Sequence, residues 1–212
     1  MKKRSQILFL ITSCSLSLGI LAIPGQAGQN TSEKTYYENG QLKIEVSLKN
    51  GKKNGPAKAY YDNGALQAEM TLKNGQTEGP YKKYWKTGQL KEEGTLRNGR
   101  REGSYKLYHE NGKLQFEGSY KNGKKEGLGK AYHKNGKLQT KVTFKNGKAE
   151  GSYKKFWDNG QVKEEGTVKN SKLDGTAKSY YKNGLVQQET TFQDGKILKV
   201  EKYDEEGKLK EK

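Results

Sequence analysis

The chain has 212 residues, of which 30% are hydrophobic and 31% charged, and carries a net charge of +17 at pH 7. So small an apolar fraction excludes a thick globular core, and the basic excess points to anionic partners. Disorder, the usual outcome for so polar a composition, is opposed by 14 tyrosines, five phenylalanines and two tryptophans that recur in register.

The first 27 residues differ in kind from the rest. Lys2-Lys3-Arg4 precedes an apolar run from Ile7 to Ile23, followed by Pro24-Gly25-Gln26-Ala27. This order predicts a signal peptide cleaved after Ala27 and export to the periplasm, the cell surface or the medium. Ile11-Thr12-Ser13-Cys14 supports a second reading, a bacterial lipoprotein signal lipidated at Cys14. The apolar run continuing past that cysteine favours cleavage, with an uncleaved anchor as the third reading. Cleavage removes the single cysteine, and with it disulfide and thiol chemistry. It also removes three basic and no acidic residues, lowering the net charge from +17 to +14.

After a short linker at 28–33, the sequence repeats. Asn39-Gly40, Asn63-Gly64, Thr87-Gly88, Asn111-Gly112, Asn135-Gly136, Asn159-Gly160 and Asn183-Gly184 fall 24 residues apart. A second series keeps step from Asn50-Gly51 to Asn170-Ser171 and Asp194-Gly195. The segments between turns are short and rich in Tyr, Thr, Val and Leu, which predicts β-hairpins. The expected fold is all-β, an elongated antiparallel single-sheet β-hairpin repeat. About seven 24-residue repeats occupy 34–196, with 197–212 as a C-terminal cap. Fourteen strands would extend the sheet on the order of 65 Å.

Asn-Gly in the first series suggests two-residue type I′ turns. That register places Lys86 opposite Gln89 and Lys82 opposite Glu93. The same count pairs Lys34 with Glu45, Lys58 with Glu69, Lys106 with Glu117, Lys154 with Glu165 and Lys178 with Glu189, leaving Lys130 against Lys141. Volumes agree: Tyr81, Tyr105 and Tyr153 oppose Gly94, Gly118 and Gly166, while Ala57, Gly129 and Ala177 oppose Met70, Val142 and Thr190.

Alternation assigns two faces. The packed face carries Tyr37 with Leu42, Tyr61 with Leu66, Trp85 with Leu90, His109 with Leu114, His133 with Leu138, Trp157 with Val162 and Tyr181 with Val186. Its candidate binding surface is Tyr61, Trp85, His109, His133, Trp157 and Tyr181; packing of a thin sheet explains the same column more simply. The other face carries Tyr36, Tyr60, Tyr84, Tyr108, Tyr132, Phe156 and Tyr180 among charged residues.

Strand lysines are largely matched by glutamates, whereas the second turns read Lys49-Asn50-Gly51-Lys52-Lys53, Arg97-Asn98-Gly99-Arg100-Arg101 and Lys121-Asn122-Gly123-Lys124-Lys125. A ridge of Lys52, Lys53, Arg97, Arg100, Arg101, Lys121, Lys124 and Lys125 is the candidate anion site. A role in solubility and in blocking edge pairing accounts for it equally well. Export ranks anionic envelope polymers or lipid headgroups above nucleic acid as partners.

Catalysis has little support. His109 and His133 replace Tyr and Trp in the aromatic column and read as aromatic stand-ins. Glu92-Glu93 and Glu164-Glu165 point to opposite faces and do not converge. No nucleophile motif, phosphate loop, cofactor motif or metal cluster is present in the sequence. The expectation is a non-enzymatic monomer without a cofactor.

Phe116-Glu117-Gly118-Ser119-Tyr120-Lys121-Asn122-Gly123-Lys124-Lys125-Glu126-Gly127 resembles the MORN repeat, with its E-G-x-aromatic-x-x-G-x-x-x-G run. The Tyr-x-x-Asn-Gly-x-Leu hairpin resembles the bacterial MORN variant of YwqK-type proteins, often labelled antitoxins. The resemblance implies an elongated antiparallel β repeat used for binding and, more weakly, an antitoxin holding one toxin; with the basic turns, the expected partner is an unknown protein or an anionic lipid or envelope polymer. The chain departs from the pattern at Lys141, at Ser171 and after Asp194, where no further glycine follows on schedule.

Overall fold

A computed structural model describes residues 30–210, so the export segment, Ala27 and Cys14 lie outside the described residues. The described chain is all-β and antiparallel, with no helix among those residues. It divides after Arg101 into two compact parts. The N-terminal part holds β1 (Asn30–Tyr36), β2 (Leu42–Lys49), β3 (Lys52–Tyr60), β4 (Leu66–Lys73), β5 (Gln76–Tyr84) and β6 (Leu90–Arg97), paired in chain order. β7 (Arg100–Tyr108) starts just before the boundary. The C-terminal part continues with β8 (Leu114–Lys121), β9 (Lys124–Tyr132), β10 (Leu138–Lys145), β11 (Lys148–Phe156) and β12 (Val162–Lys169). It ends with β13 (Lys172–Leu173), β14 (Gly175–Tyr180), β15 (Val186–Gln193) and β16 (Lys196–Lys202). β13 and β14 are one strand interrupted at Asp174, and both pair with β12. The strand pattern runs past residue 196: β16 pairs with β15, and a bridge between Tyr203 and Leu209 opens another hairpin loop.

The turn chemistry reverses the expectation. In the first series only the glycine is left-handed: Gly40 has φ +82°, whereas Asn39 is not among the positive-φ residues. Tyr37 N–H donates to the Gln41 carbonyl at 2.8 Å and Gly40 N–H to the Tyr37 carbonyl at 2.9 Å. The loop therefore has three residues with a left-handed glycine at its end. Asn39 Oδ1 accepts the Gln41 N–H at 3.1 Å, holding its own turn as an Asx motif. The same bond recurs at Asn63, Asn111, Asn135, Asn159 and Asn183. The two-residue type I′ turns are in the second series, where both central residues are left-handed, as at Asn50 (φ 52°) and Gly51 (φ 72°).

Lys86 therefore does not oppose Gln89. Trp85 bonds Gln89, Tyr84 aligns with Leu90, and a register shift between Lys83 and Tyr84 restores Lys82 opposite Glu93. The extra loop residue and the bulge cancel, so each charge and size pair beyond the bulge stands, including Lys130 against Lys141. The aromatic–leucine pairs beside the loop slip by one instead. Tyr36 rather than Tyr37 opposes Leu42, and Tyr60 rather than Tyr61 opposes Leu66.

In the N-terminal part the packed face closes over Ile44, Val46, Ala57, Ala59, Ala68, Met70, Leu72, Tyr81 and Leu96. In the C-terminal part the same face carries Tyr153 opposite Gly166. A Cβ on Gly166 would lie 2.9 Å from Ala177 Cβ and 3.0 Å from its Cα. Gly166→Ala is expected to lower stability by about 1–3 kcal/mol through overpacking, read by thermal unfolding.

Candidate functional site

Each hairpin presents two ends, and each end binds its neighbouring repeat differently. At the three-residue loops, the aromatic column hands hydrogen bonds from one repeat to the next. Tyr37 Oη donates to the Tyr60 carbonyl and Tyr61 Oη to the Tyr84 carbonyl, both at 2.8 Å. In the C-terminal part, His109 Nε2 lies 3.1 Å from the Tyr132 carbonyl and His133 Nε2 3.1 Å from the Phe156 carbonyl. A carbonyl only accepts, so Nε2 carries the proton in both rings. Tyr181 Oη repeats the bond to the Tyr203 carbonyl at 2.8 Å. Both histidines therefore reproduce the tyrosine's donor, and the described residues hold no group of three potential ligands that could bind a metal. Trp85 and Trp157 break the series: their buried Nε1 atoms have no partner. Lys91 covers the Trp85 ring at 4.0 Å and Lys163 the Trp157 ring at 4.3 Å, so lysines roof much of the column.

Behind this column lies a charged network that the sequence does not announce. Glu92 Oε1 accepts from Tyr81 Oη at 2.6 Å and from Arg101 Nη2 at 2.7 Å, with Lys83 Nζ at 3.4 Å. Burial alone would push the Glu92 carboxyl up, but Lys83, Tyr81 and Arg101 together hold it below the usual range. Burial depresses Lys83 despite that carboxylate. On the opposite face, burial first and then the Glu69 carboxylate raise Tyr84 to about 12, with Tyr84 Oη donating to Glu69 at 2.6 Å.

The type I′ end carries the basic residues. Alternation divides them, because the first residue after each turn points away from the packed face and the next points towards it. Lys52, Arg97, Arg100, Lys121 and Lys124 are exposed. Lys53, Arg101 and Lys125 turn onto the packed face. There Lys53 pairs with Glu33 at 3.6 Å, Arg101 joins Glu92, and Lys125 lies 4.5 Å over Phe116 and 4.8 Å over Phe144.

Further cations complete the row: Lys49, Lys145, Lys148, Lys169 and Lys172, which sequence reasoning left out of the ridge although a basic residue flanks nearly every turn. Lys49 faces Lys52, Lys121 faces Lys124, Lys145 faces Lys148 and Lys169 faces Lys172 across the turns. Like charges placed directly opposite each other destabilise a hairpin. All of these side chains are exposed, and among the described residues none forms an ion pair.

The turns are fixed in place by the preceding repeat. Gly75, Gly147, Ser171 and Gly195 donate their N–H groups to the carbonyls of Lys53, Lys125, Ala149 and Leu173 at 2.7–2.9 Å. Glu78, Glu102, Glu126 and Glu150 each use one carboxylate oxygen to accept the N–H of the turn Asn 20 residues on, at 2.8–2.9 Å. These glutamates are the acidic members of the row, and each is tied to backbone.

The sequence profile of the MORN repeat variant matches seven consecutive segments: 29–50, 53–74, 77–98, 101–122, 125–146, 149–170 and 173–194. No curated protein matches the sequence. Among solved structures, the crystal structure of accessory secretory protein 1,2 and 3 in Streptococcus pneumoniae aligns with 16% identity over 58% of this chain, with a TM-score of 0.30. The alignment covers 24% of that chain, a likeness too loose to carry any functional argument.

Proposed function

The chain belongs to the MORN repeat variant family, and from that premise we propose that it is an exported, monomeric, non-enzymatic scaffold whose basic type I′ turns bind an anionic surface of the cell envelope. The observation that carries this reading is the set of like-charged pairs that close the turns. A sheet optimised for stability would put opposite charges there, as it does along the strands at Lys34–Glu45 and Lys178–Glu189. Cations held close together, exposed and without carboxylate partners suit capture of phosphate or carboxylate groups. Export rests on Lys2-Lys3-Arg4 and the apolar run that follows.

Replacing Lys121, Lys124, Lys145, Lys148, Lys169 and Lys172 with glutamine is expected to weaken binding to anionic vesicles and flatten its salt dependence, read by co-sedimentation. Unfolding temperature should hold or rise, because repulsion is removed. Lys154→Gln and Lys178→Gln, which break strand ion pairs, should leave binding intact. If the wild type ignores anionic surfaces at low salt, the turn lysines serve solubility alone. The partner, a toxin among the candidates, then has to be sought on the aromatic column.

A further inference from the structure

The turn row of the C-terminal part is a series of fixed charged rungs, and we propose that its partner is a linear phosphate polymer laid across the strands, one anionic stretch per rung. This rests on the anion-binding reading above and narrows it to one ligand chemistry. Successive type I′ turns are two strands apart, roughly 10 Å at ordinary strand spacing. Three rungs, Lys121/Lys124, Lys145/Lys148 and Lys169/Lys172, therefore span about 20 Å. Their spacing is locked, since Gly147 N–H bonds the Lys125 carbonyl at 2.8 Å and Ser171 N–H the Ala149 carbonyl at 2.9 Å. Lys148 Nζ also reaches Asn170 Oδ1 on the next turn at 3.3 Å, within reach of both rungs.

Two observations favour a polymer over a bilayer. The cations stand in single file, which matches a chain of charges better than a plane. None of the exposed large hydrophobic residues lies in these three turns; Ile197 and Leu198 follow the next turn, outside the row. Binding by a single row should grow with polymer length until every rung is engaged, and then level off.

The test uses inorganic polyphosphates of graded length and, separately, vesicles containing an anionic phospholipid. For wild type, affinity should climb with length up to a chain spanning about 20 Å and flatten beyond it. Lys145→Gln with Lys148→Gln, which removes the middle rung, should cut affinity at least tenfold and lower the slope of log affinity against log salt by about 1–2. The plateau length should stay the same, because the outer rungs keep their span, whereas Lys154→Gln with Lys178→Gln should change neither affinity nor salt slope. Affinity independent of length, or a middle-rung variant no worse than the strand control, overturns the proposal. Vesicle binding without polyphosphate binding overturns it while leaving the anion-binding reading in place; failure of both probes removes both.

Discussion

Replacing Glu92 with glutamine is expected to destabilise the N-terminal part by about 3–5 kcal/mol, the cost of leaving buried charge uncompensated. Glu92 is 7% exposed and Lys83 6%, and they share their site with Tyr81 and Arg101. Glutamine keeps the shape but removes the charge that Lys83 and Arg101 both face. Because the molecule divides into two parts, a single global transition is not assumed. Hydrogen exchange should localise the loss to β4, β5 and β6, with the C-terminal strands unchanged. The same residue governs acid sensitivity. Its folded pKa is depressed, so its stabilisation is complete above the unfolded carboxylate value near 4.3 and is lost as pH falls through the lower folded value. Below about pH 4 the wild-type N-terminal part should lose stability more steeply than the Glu92→Gln variant. Parallel acid profiles would show that Glu92 is not the group responsible.

Tyr153→Ala is expected to cost the C-terminal part about 3–5 kcal/mol. Tyr153 is 5% exposed, covers the bare backbone of Gly166, and donates its hydroxyl to Glu164 Oε1 at 2.6 Å. Alanine opens a cavity over a glycine that has no side chain to fill it. Tyr153→Phe retains the ring and leaves Glu164 with Lys155 at 3.0 Å, so it should cost far less. Chemical denaturation of the pair separates the two contributions. Equal losses would mean that the hydroxyl, not the ring over Gly166, holds the strands together.

The period, the strand type, the two faces and the cross-strand partners beyond the bulge were all legible in the sequence, because each depends on spacing and on alternation by two. Turn type was not. Asn-Gly is compatible with both loops, and what separates them is the side chain of Asn39, which bonds Gln41 N–H, against the backbone of Asn50, which is itself left-handed. The register survived because the third loop residue and the bulge at Lys83–Tyr84 displace it in opposite directions. The candidate ridge was legible in composition but not in direction. Lys52 and Lys53 are neighbours in sequence, yet only Lys53 reaches Glu33. The Glu92 network was hidden for a related reason: Arg101 arrives from 20 residues beyond Tyr81, across a turn whose geometry spacing alone does not give.

The hydroxyl, imidazole and turn N–H bonds that join the repeats have a consequence for how the chain acquires its structure. Among the described side-chain hydrogen bonds, none links residues more than 24 positions apart. Closing such short loops is entropically cheap, and topologies rich in local contacts fold quickly. A chain emerging end-first from a pore or a ribosome would need to expose only one further repeat before the preceding one could complete its bonds. Folding can then advance by accretion, with each finished hairpin serving as the template edge for the next.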